Sequence, residues 1–527
     1  MSKRFFAVLL ASILVAVPAL EARVLSTVST TMATEAHRTT DAGLPDMDSA
    51  KALEAELTSD WHGAVDKILR RDSGKSAAFV MDKGEHALRI RAWLGMNAKQ
   101  TVDVQYFIWS TDNVGRLALA GLLHAADRGV RVRILVDDLM LEKPWDLLLA
   151  MDAHPCVEIR IYNANNTLGI SFWRRLWNAV TDFRSVNQRM HQKSFVVDGR
   201  AAVVGGRNMA DEYYDFDPEF NFRDRDILVA GPVVDQIESG FEEHWNSPLS
   251  KPVSEILASE PSAPDSSALS AIRQDLSKRW DDTSHFSPEM RQGILDVPRR
   301  IPDLLRDMDL CEARYLHDAP GKNDGTHGLG GGGATTLGLA TVLDSAREEV
   351  LIQTPYLVLD PDALKLLRSL VERGVKVRIS TNSAANNDNR YAVSGYQKQR
   401  QEILDAGIEV HELKPHPENR TKILQRFFQF GEHPPIIVLH AKTAVIDRKI
   451  LVVGTYNLDP RSQNLNTEAA VVMASPKLAG EAADAIEEDM RPENSWDASS
   501  GEGDQGLSWW ARFRLWLWRL LPMDPIL

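Results

Sequence analysis

Cysteine is nearly absent. Cys156 and Cys311 are the only two in 527 residues, so neither a multi-disulfide framework nor a Cys/His zinc cluster can be assembled. A single pair in an oxidising compartment and two free thiols both fit so sparse a set. Positive charge is in deficit: 60 Lys and Arg stand against 74 Asp and Glu, a formal charge of -14. That excludes the generally basic surface of a nonspecific nucleic-acid binder and leaves room only for a local basic pocket. The glycine-rich run 321–333, with Gly330–Gly333 consecutive, lacks the Lys-Ser/Thr ending of a nucleotide-binding loop. It reads as a flexible loop near an entrance. Long apolar runs are missing except at the start, where Phe5 to Leu20 follows Lys3-Arg4. This run is short of the about 20 residues a spanning helix needs and has small residues near its end, so it reads as an export signal or an uncleaved anchor. No Cys follows it to carry a lipid.

What is present is globular. Hydrophobic residues make up 44% and charged residues 25%, enough for two core-bearing domains. After a Ser/Thr/Ala-rich lead-in, Lys51 to about Arg71 has helical spacing. Helical spacing over 87–96 is followed by alternation at Val102, Val104, Tyr106 and Ile108. An amphipathic stretch over 117–128, ended by Gly129, then leads into an apolar run over 130–136. This is a β-α-β unit, hence a mainly parallel mixed sheet flanked by helices; 157–162 adds a strand. The same order returns at 350–356, 364–374 and 375–380. Arg128-Gly129-Val130-Arg131-Val132-Arg133 matches Arg373-Gly374-Val375-Lys376-Val377-Arg378. The chain is a domain-scale duplication.

The chemistry lies in a second repeat. His191-Gln192-Lys193 runs on to Asp198, and His440-Ala441-Lys442 runs on to Asp447, both in the pattern H-x-K-x-x-x-x-D. A short apolar run follows each, then Gly205-Gly206-Arg207-Asn208 or Gly454-Thr455-Tyr456-Asn457. Residues i and i+2 of an extended segment share a face. His191 and Lys193 therefore line one side of a pocket, as do His440 and Lys442. Two imidazoles, two ammonium groups and the amides of Asn208 and Asn457 suit a tetrahedral oxyanion such as a phosphodiester. The cations and amides stabilise the non-bridging oxygens, one His attacks phosphorus, and the other protonates the leaving alkoxide.

These motifs resemble the HKD motifs of the phospholipase D superfamily, whose members work through a phosphohistidine without a metal or cofactor. Further likeness lies at Thr101–Tyr106, Arg189–His191, Gly231–Val234, Thr381–Ser383, Leu458–Ser462 and Asn466–Glu468. It extends from about residue 85 to the C-terminus and is strongest to the bacterial cardiolipin synthases, type C. The resemblance implies two tandem phospholipase D-like domains joined as a pseudo-two-fold pair, with both motifs in one cleft. It also implies an acidic partner for a catalytic His near Asp224 and Asp226, with Glu468 as the second-half equivalent. The superfamily habit puts the nucleophile in the first motif, His191, with His440 as general acid and then base; the residues themselves support the reverse equally. Asp198 and Asp447 complete the catalytic motifs and read more as supports than as chemical groups.

The expected layout is a signal or anchor at 1–22, a lead-in and helix at 23–76 and a first domain at 77–250. A linker with the glycine-rich loop fills 251–335, the second domain 336–495, and a Trp/Arg-rich tail 496–527. Three aromatic segments suit a lipid interface: 168–183 with Phe172, Trp173 and Trp177, 421–435 with Phe427, Phe428 and Phe430, and the tail with Trp509, Trp510, Trp516 and Trp518. For 168–183 a helix packed in a core fits equally, while for the tail an interfacial helix is the natural reading and a helix docked on the core the alternative. The expected activity is transfer of a phosphatidyl group from phosphatidylglycerol or a second phospholipid such as phosphatidylethanolamine to make cardiolipin. Hydrolysis to phosphatidic acid is the alternative, and a nuclease-type phosphodiesterase a weaker one. The expected partners are phospholipids and the membrane surface, with no nucleic acid, in a monomer with room for an accessory protein. The expected location is the bacterial cell membrane, on the periplasmic face or held by the N-terminal segment.

Overall fold

The computed structural model describes residues 61–72, 74–141, 146–164, 187–256, 266–282, 307–322, 330–424 and 435–504. The export-like segment, the 168–183 insertion, Phe427, Phe428, Phe430 and the Trp-rich tail lie outside the described residues.

The first half contributes β1 (Ser76–Met81), β2 (Thr101–Trp109), β3 (Arg131–Leu141), β4 (Val157–Tyr162), β5 (Ser194–Val197), β6 (Ala201–Gly205), β7 (Phe220–Arg223), β8 (Asp226–Ala230) and β9 (Ser250–Pro252). The second contributes β10 (Asp309–His317), β11 (Glu349–Gln353), β12 (Lys376–Asn382), β13 (Glu409–Leu413), β14 (Ile436–Leu439), β15 (Thr443–Ile446), β16 (Ile450–Gly454), β17 (Ala469–Ala474) and β18 (Ser495–Asp497). Sixteen of these form one continuous sheet, ordered β18-β13-β12-β11-β15-β16-β17-β10-β1-β8-β6-β5-β2-β3-β4-β9. The order reads the same outward from its centre in both directions, so the pseudo-two-fold axis passes between β1 and β10. Those two pair antiparallel, with Ser76 opposite Cys311. β10 falls inside the stretch expected as linker, which therefore holds the innermost strand of the second half.

The β-α-β units form the parallel parts of the sheet, β2-β3-β4 and β11-β12-β13. The strands after each H-x-K motif join by antiparallel pairing, β5 with β2 and β6, β15 with β11 and β16. The sheet is thus mixed, because short hairpins separate the motif strands while only helical crossovers give parallel neighbours. In both crossovers an aspartate caps the helix: Asp112 accepts from the Gly115 N–H at the start of Asn113–Asp127, and Asp360 from the Ala363 N–H at the start of Pro361–Glu372. Gly129 and Gly374, both at φ 86°, end those helices in the left-handed conformation that glycine adopts without strain.

Alternation along the strands feeds two layers. Val102, Val104, Phe195, Val197 and Val203 pack under the first-half helices, and Val350, Ile352, Val452 and Ala470 under those of the second. The opposite face belongs to both halves at once. Val196, Val204, Ile227 and Val229 share one core with Val445, Leu451, Val453 and Val471 beneath the helices Pro232–Trp245 and Pro476–Met490. Exposing five or six such side chains costs on the order of 10 kcal/mol, the size of a whole domain's stability. Both cysteines are free, Cys311 buried and Cys156 half-buried.

A shared core makes the halves interdependent. Chains cut between Ile256 and Ser266 should copurify when expressed together, and each should aggregate when expressed alone. Size-exclusion chromatography and circular dichroism test this; a soluble, cooperatively unfolding single half would refute it.

Candidate active site

Each histidine sits in an extended segment just before its motif strand, and that segment is stapled to the other half. Met190 bridges Thr467, with the His191 N–H donating to the Thr467 carbonyl (3.0 Å) and the Thr467 N–H to the Arg189 carbonyl (2.8 Å). Its counterpart is the parallel pair β7–β14, where Leu439 lies opposite Arg223 and the His440 N–H donates to the Arg223 carbonyl (2.9 Å). The residue after each staple is acidic. Glu468 accepts from His191 Nδ1 at 2.9 Å, and Asp224 from His440 Nδ1 at 2.6 Å. Every imidazole is therefore held by a carboxylate from the opposite half.

Since a carboxylate only accepts, Nδ1 carries the proton in each ring and Nε2 keeps its lone pair. Burial works against ionising Asp224 and Glu468, but the facing imidazole and the nearby lysine outweigh it and hold both carboxyls below their ordinary range. Burial, with the lysines adding to it, takes His191 down to about 4 and His440 to about 3. Both rings are thus neutral near pH 7 until an anion enters. Lys193 and Lys442 are buried and donate to the carbonyls of His191 (2.7 Å) and His440 (2.5 Å). Burial lowers them to about 7 and about 8, and each feels carboxylates of both halves. The lysines act on both rings, so the four groups form one cationic, nucleophile-bearing centre.

Of the two carboxylates that the sequence left open, the structure puts Asp224 on His440. Asp226 instead meets Arg91 (2.9 Å) and Arg207 (3.3 Å) in the core, a structural ion pair. The signal was available: Asp224 precedes Pro232 by the same eight residues as Glu468 precedes Pro476. Gly206 makes room for it, since a Cβ there would lie 2.2 Å from Asp224 Oδ1. At the equivalent place Thr455 Oγ1 donates to Glu468 Oε2 (2.5 Å).

The motif aspartates hold backbone N–H groups. Asp198 and Asp447 sit in the β5–β6 and β15–β16 turns at φ 54° and 51°. Asp198 accepts the N–H groups of Lys99, Gln100 and Thr101, and its other oxygen meets His62 Nε2. Asp447 does the same for Arg347, Glu348 and Glu349. Each ties a turn to the strand beside it. Asn208 and Asn457 also differ. The Asn208 amide accepts from the Ile108 N–H and donates to Tyr213 Oη, bracing the site wall. The Asn457 carbonyl oxygen is buried without a partner among the described residues. Sequence reasoning passed over the aromatic frame: Phe107 packs edge-on to His191, and Tyr213 and Phe222 flank His440 at 5.1 and 4.6 Å. Among the described residues no group of His, Cys, Asp and Glu is arranged to hold a metal.

Paired, carboxylate-held histidines beside two lysines in a duplicated α/β sheet define a phosphoryl-transfer enzyme of phospholipase D type. A family profile described as "Cardiolipin synthase, PLD-like domain" matches residues 96–245 and 339–490, and the chain belongs to that family. It is 34% identical over 419 residues to cardiolipin synthase C of Escherichia coli, covering 79% of this chain and 85% of that protein. It is 25% identical over 395 residues to a cardiolipin synthase of Staphylococcus aureus, covering 75% and 63%. The crystal structure of a phosphatidylserine synthase from Haemophilus influenzae superposes with a TM-score of 0.52 at 12% identity, over 82% of this chain and 91% of that one, a likeness of fold. The chain is a phospholipid phosphatidyltransferase of the phospholipase D superfamily.

Two measurements separate these roles. Asp447→Ala removes three backbone hydrogen bonds and should cost about 2–4 kcal/mol, read as a lower melting temperature. Asp224→Asn should cut kcat about a hundredfold or more by losing the ring's orientation. Equal kcat losses per folded molecule would sink the distinction. Because the lysines must be protonated to bind an anion, tungstate affinity should be full below about pH 7 and decline as pH rises through the values of about 7 and 8. Calorimetry giving a flat profile to pH 9 would contradict this.

Proposed function

We propose that this chain makes cardiolipin by moving a phosphatidyl group from one phospholipid to the terminal glycerol of phosphatidylglycerol, through a phosphohistidine. The observation that carries it is the pair of neutral imidazoles, each backed by a carboxylate, facing two lysines. The resemblance to cardiolipin synthases over most of the chain supports the lipid acceptor.

His191 Nε2 bonds to phosphorus as the bond to the headgroup oxygen breaks, and His440 gives that oxygen its proton. The anion between the lysines offsets their repulsion and raises the basicity of His440 enough for it to act as an acid. In the second step the acceptor hydroxyl bonds to phosphorus, the phosphorus–nitrogen bond breaks, and the hydroxyl proton passes to His440. Lys193 and Lys442 hold the non-bridging oxygens in both steps. One chain holds the complete centre, and the work takes place at a membrane surface where both lipids reside. Among the described residues no helix is long and apolar enough to cross a membrane.

Mass spectrometry of products from the purified chain with phosphatidylglycerol, with and without phosphatidylethanolamine, tests the reading. Cardiolipin that His191→Ala abolishes is expected, with His440→Ala accumulating an acid-labile phosphohistidine. Phosphatidic acid alone would make the chain a phospholipase D.

A further inference from the structure

On the His440 side lies a loop that the reaction outlined above does not use. After β12 the chain runs Asn382-Ser383-Ala384-Ala385-Asn386-Asn387-Asp388-Asn389. Its amides fasten it to the strand that leads into His440. Asn382 Oδ1 accepts from the Leu439 N–H (2.7 Å), and its Nδ2 donates to the Leu439 carbonyl (2.7 Å). Asn386 Nδ2 donates to the Ile437 carbonyl (2.8 Å), and Ser383 Oγ locks Asn386 in place. Asn387 ties the loop to the Pro355 carbonyl on the neighbouring strand end. So many side-chain staples on an irregular segment fix the position of whatever it presents.

What it presents is Asp388. Tyr356 Oη donates to Asp388 Oδ2 at 2.9 Å. The residue reaches solvent, yet crowding holds its carboxyl above the ordinary range against the pull of Tyr356 and Lys442. Its loop is stapled to Ile437 and Leu439, directly before His440, and its charge acts on Lys442 and on Tyr213, the ring beside His440, so Asp388 stands on the His440 side. Position 356 corresponds to Ile108 of the first half, as Leu357 and Trp109 make equivalent bridges to Leu458 and Met209. Ile108 carries no hydroxyl.

In an in-line displacement, leaving and entering oxygens lie opposite the nucleophile, on the side of the acid-base histidine. The headgroup attached to that oxygen must therefore sit beside His440. We propose that Asp388, held by Tyr356, reads the lipid headgroup: its carboxylate accepts hydrogen bonds from the hydroxyls of a glycerol headgroup or the ammonium of an ethanolamine headgroup. This rests on the reading of His440 as the acid-base group. A carboxylate matches both because each offers it an O–H or N–H donor, and it disfavours a headgroup with neither to offer.

The test uses the full chain in mixed micelles with three donors: phosphatidylglycerol, phosphatidylethanolamine and phosphatidylmethanol, the last without a headgroup donor. The quantity read is the ratio of kcat/KM for each natural lipid over phosphatidylmethanol. Asp388→Ala should lower both ratios about ten- to a hundredfold, the loss of a charged hydrogen bond. Asp388→Asn keeps an acceptor and loses the charge, so a drop confined to phosphatidylethanolamine assigns the ammonium as the group read. Retention of the glycerol preference in Asp388→Asn, lost in Asp388→Ala, assigns the diol. Tyr356→Phe should move the ratios the same way by a smaller factor. Equal losses on all three lipids would mean a merely structural loop and overturn the proposal. Wild-type protein that turns over none of the three would overturn the phosphatidyltransferase reading itself.

Discussion

The hydrogen bond from each imidazole to a carboxylate of the other half is the constraint on which this active site stands. A histidine with Nδ1 bonded to an anion has its tautomer, its ring plane and its free Nε2 decided together. Here that bond crosses the pseudo-two-fold axis twice, His191 to Glu468 and His440 to Asp224. Neither half holds a competent histidine by itself. The backbone staples directly upstream, at Thr467 and at Arg223, bring each carboxylate within reach of its ring.

Such a crossing demands that the halves not slide, and the sheet meets that demand. The antiparallel β1–β10 pair joins two eight-stranded halves edge to edge, and one core beneath the Pro232–Trp245 and Pro476–Met490 helices belongs to both. With the scaffold fixed, the centre can hold groups that are unstable in isolation. Buried lysines at about 7 and 8 and imidazoles near 3 to 4 are repulsive and desolvated. They are poised for an incoming phosphodiester, whose charge relieves both penalties. The folding energy of the shared core is what holds this arrangement together before substrate arrives.

Much of this was legible in the order of residues. The duplicated β-α-β pattern, the helices ending at Gly129 and Gly374, and the four residues His191, Lys193, His440 and Lys442 follow from local spacing, because strand and helix periods are local properties. What was not legible has a common origin. Asp198 and Asp447 stand in the motif beside the catalytic groups, yet each lies at a hairpin turn and caps backbone N–H groups nearly a hundred residues earlier in the chain. Asp226 shares its strand direction with Asp224, yet its partners are Arg91 and Arg207. β10 fell within the stretch read as linker, and its pairing partners lie far away in sequence, at β1 and β17.

The sequence by itself determined the class of chemistry, the repeat and the nucleophilic and cationic groups, since these depend on residue type and on short spacings. Only the tertiary structure decided which carboxylate serves which histidine and that the service is exchanged between halves. Those are contacts between segments more than two hundred residues apart. Their geometry is fixed by sheet register and a shared core, which no local pattern encodes.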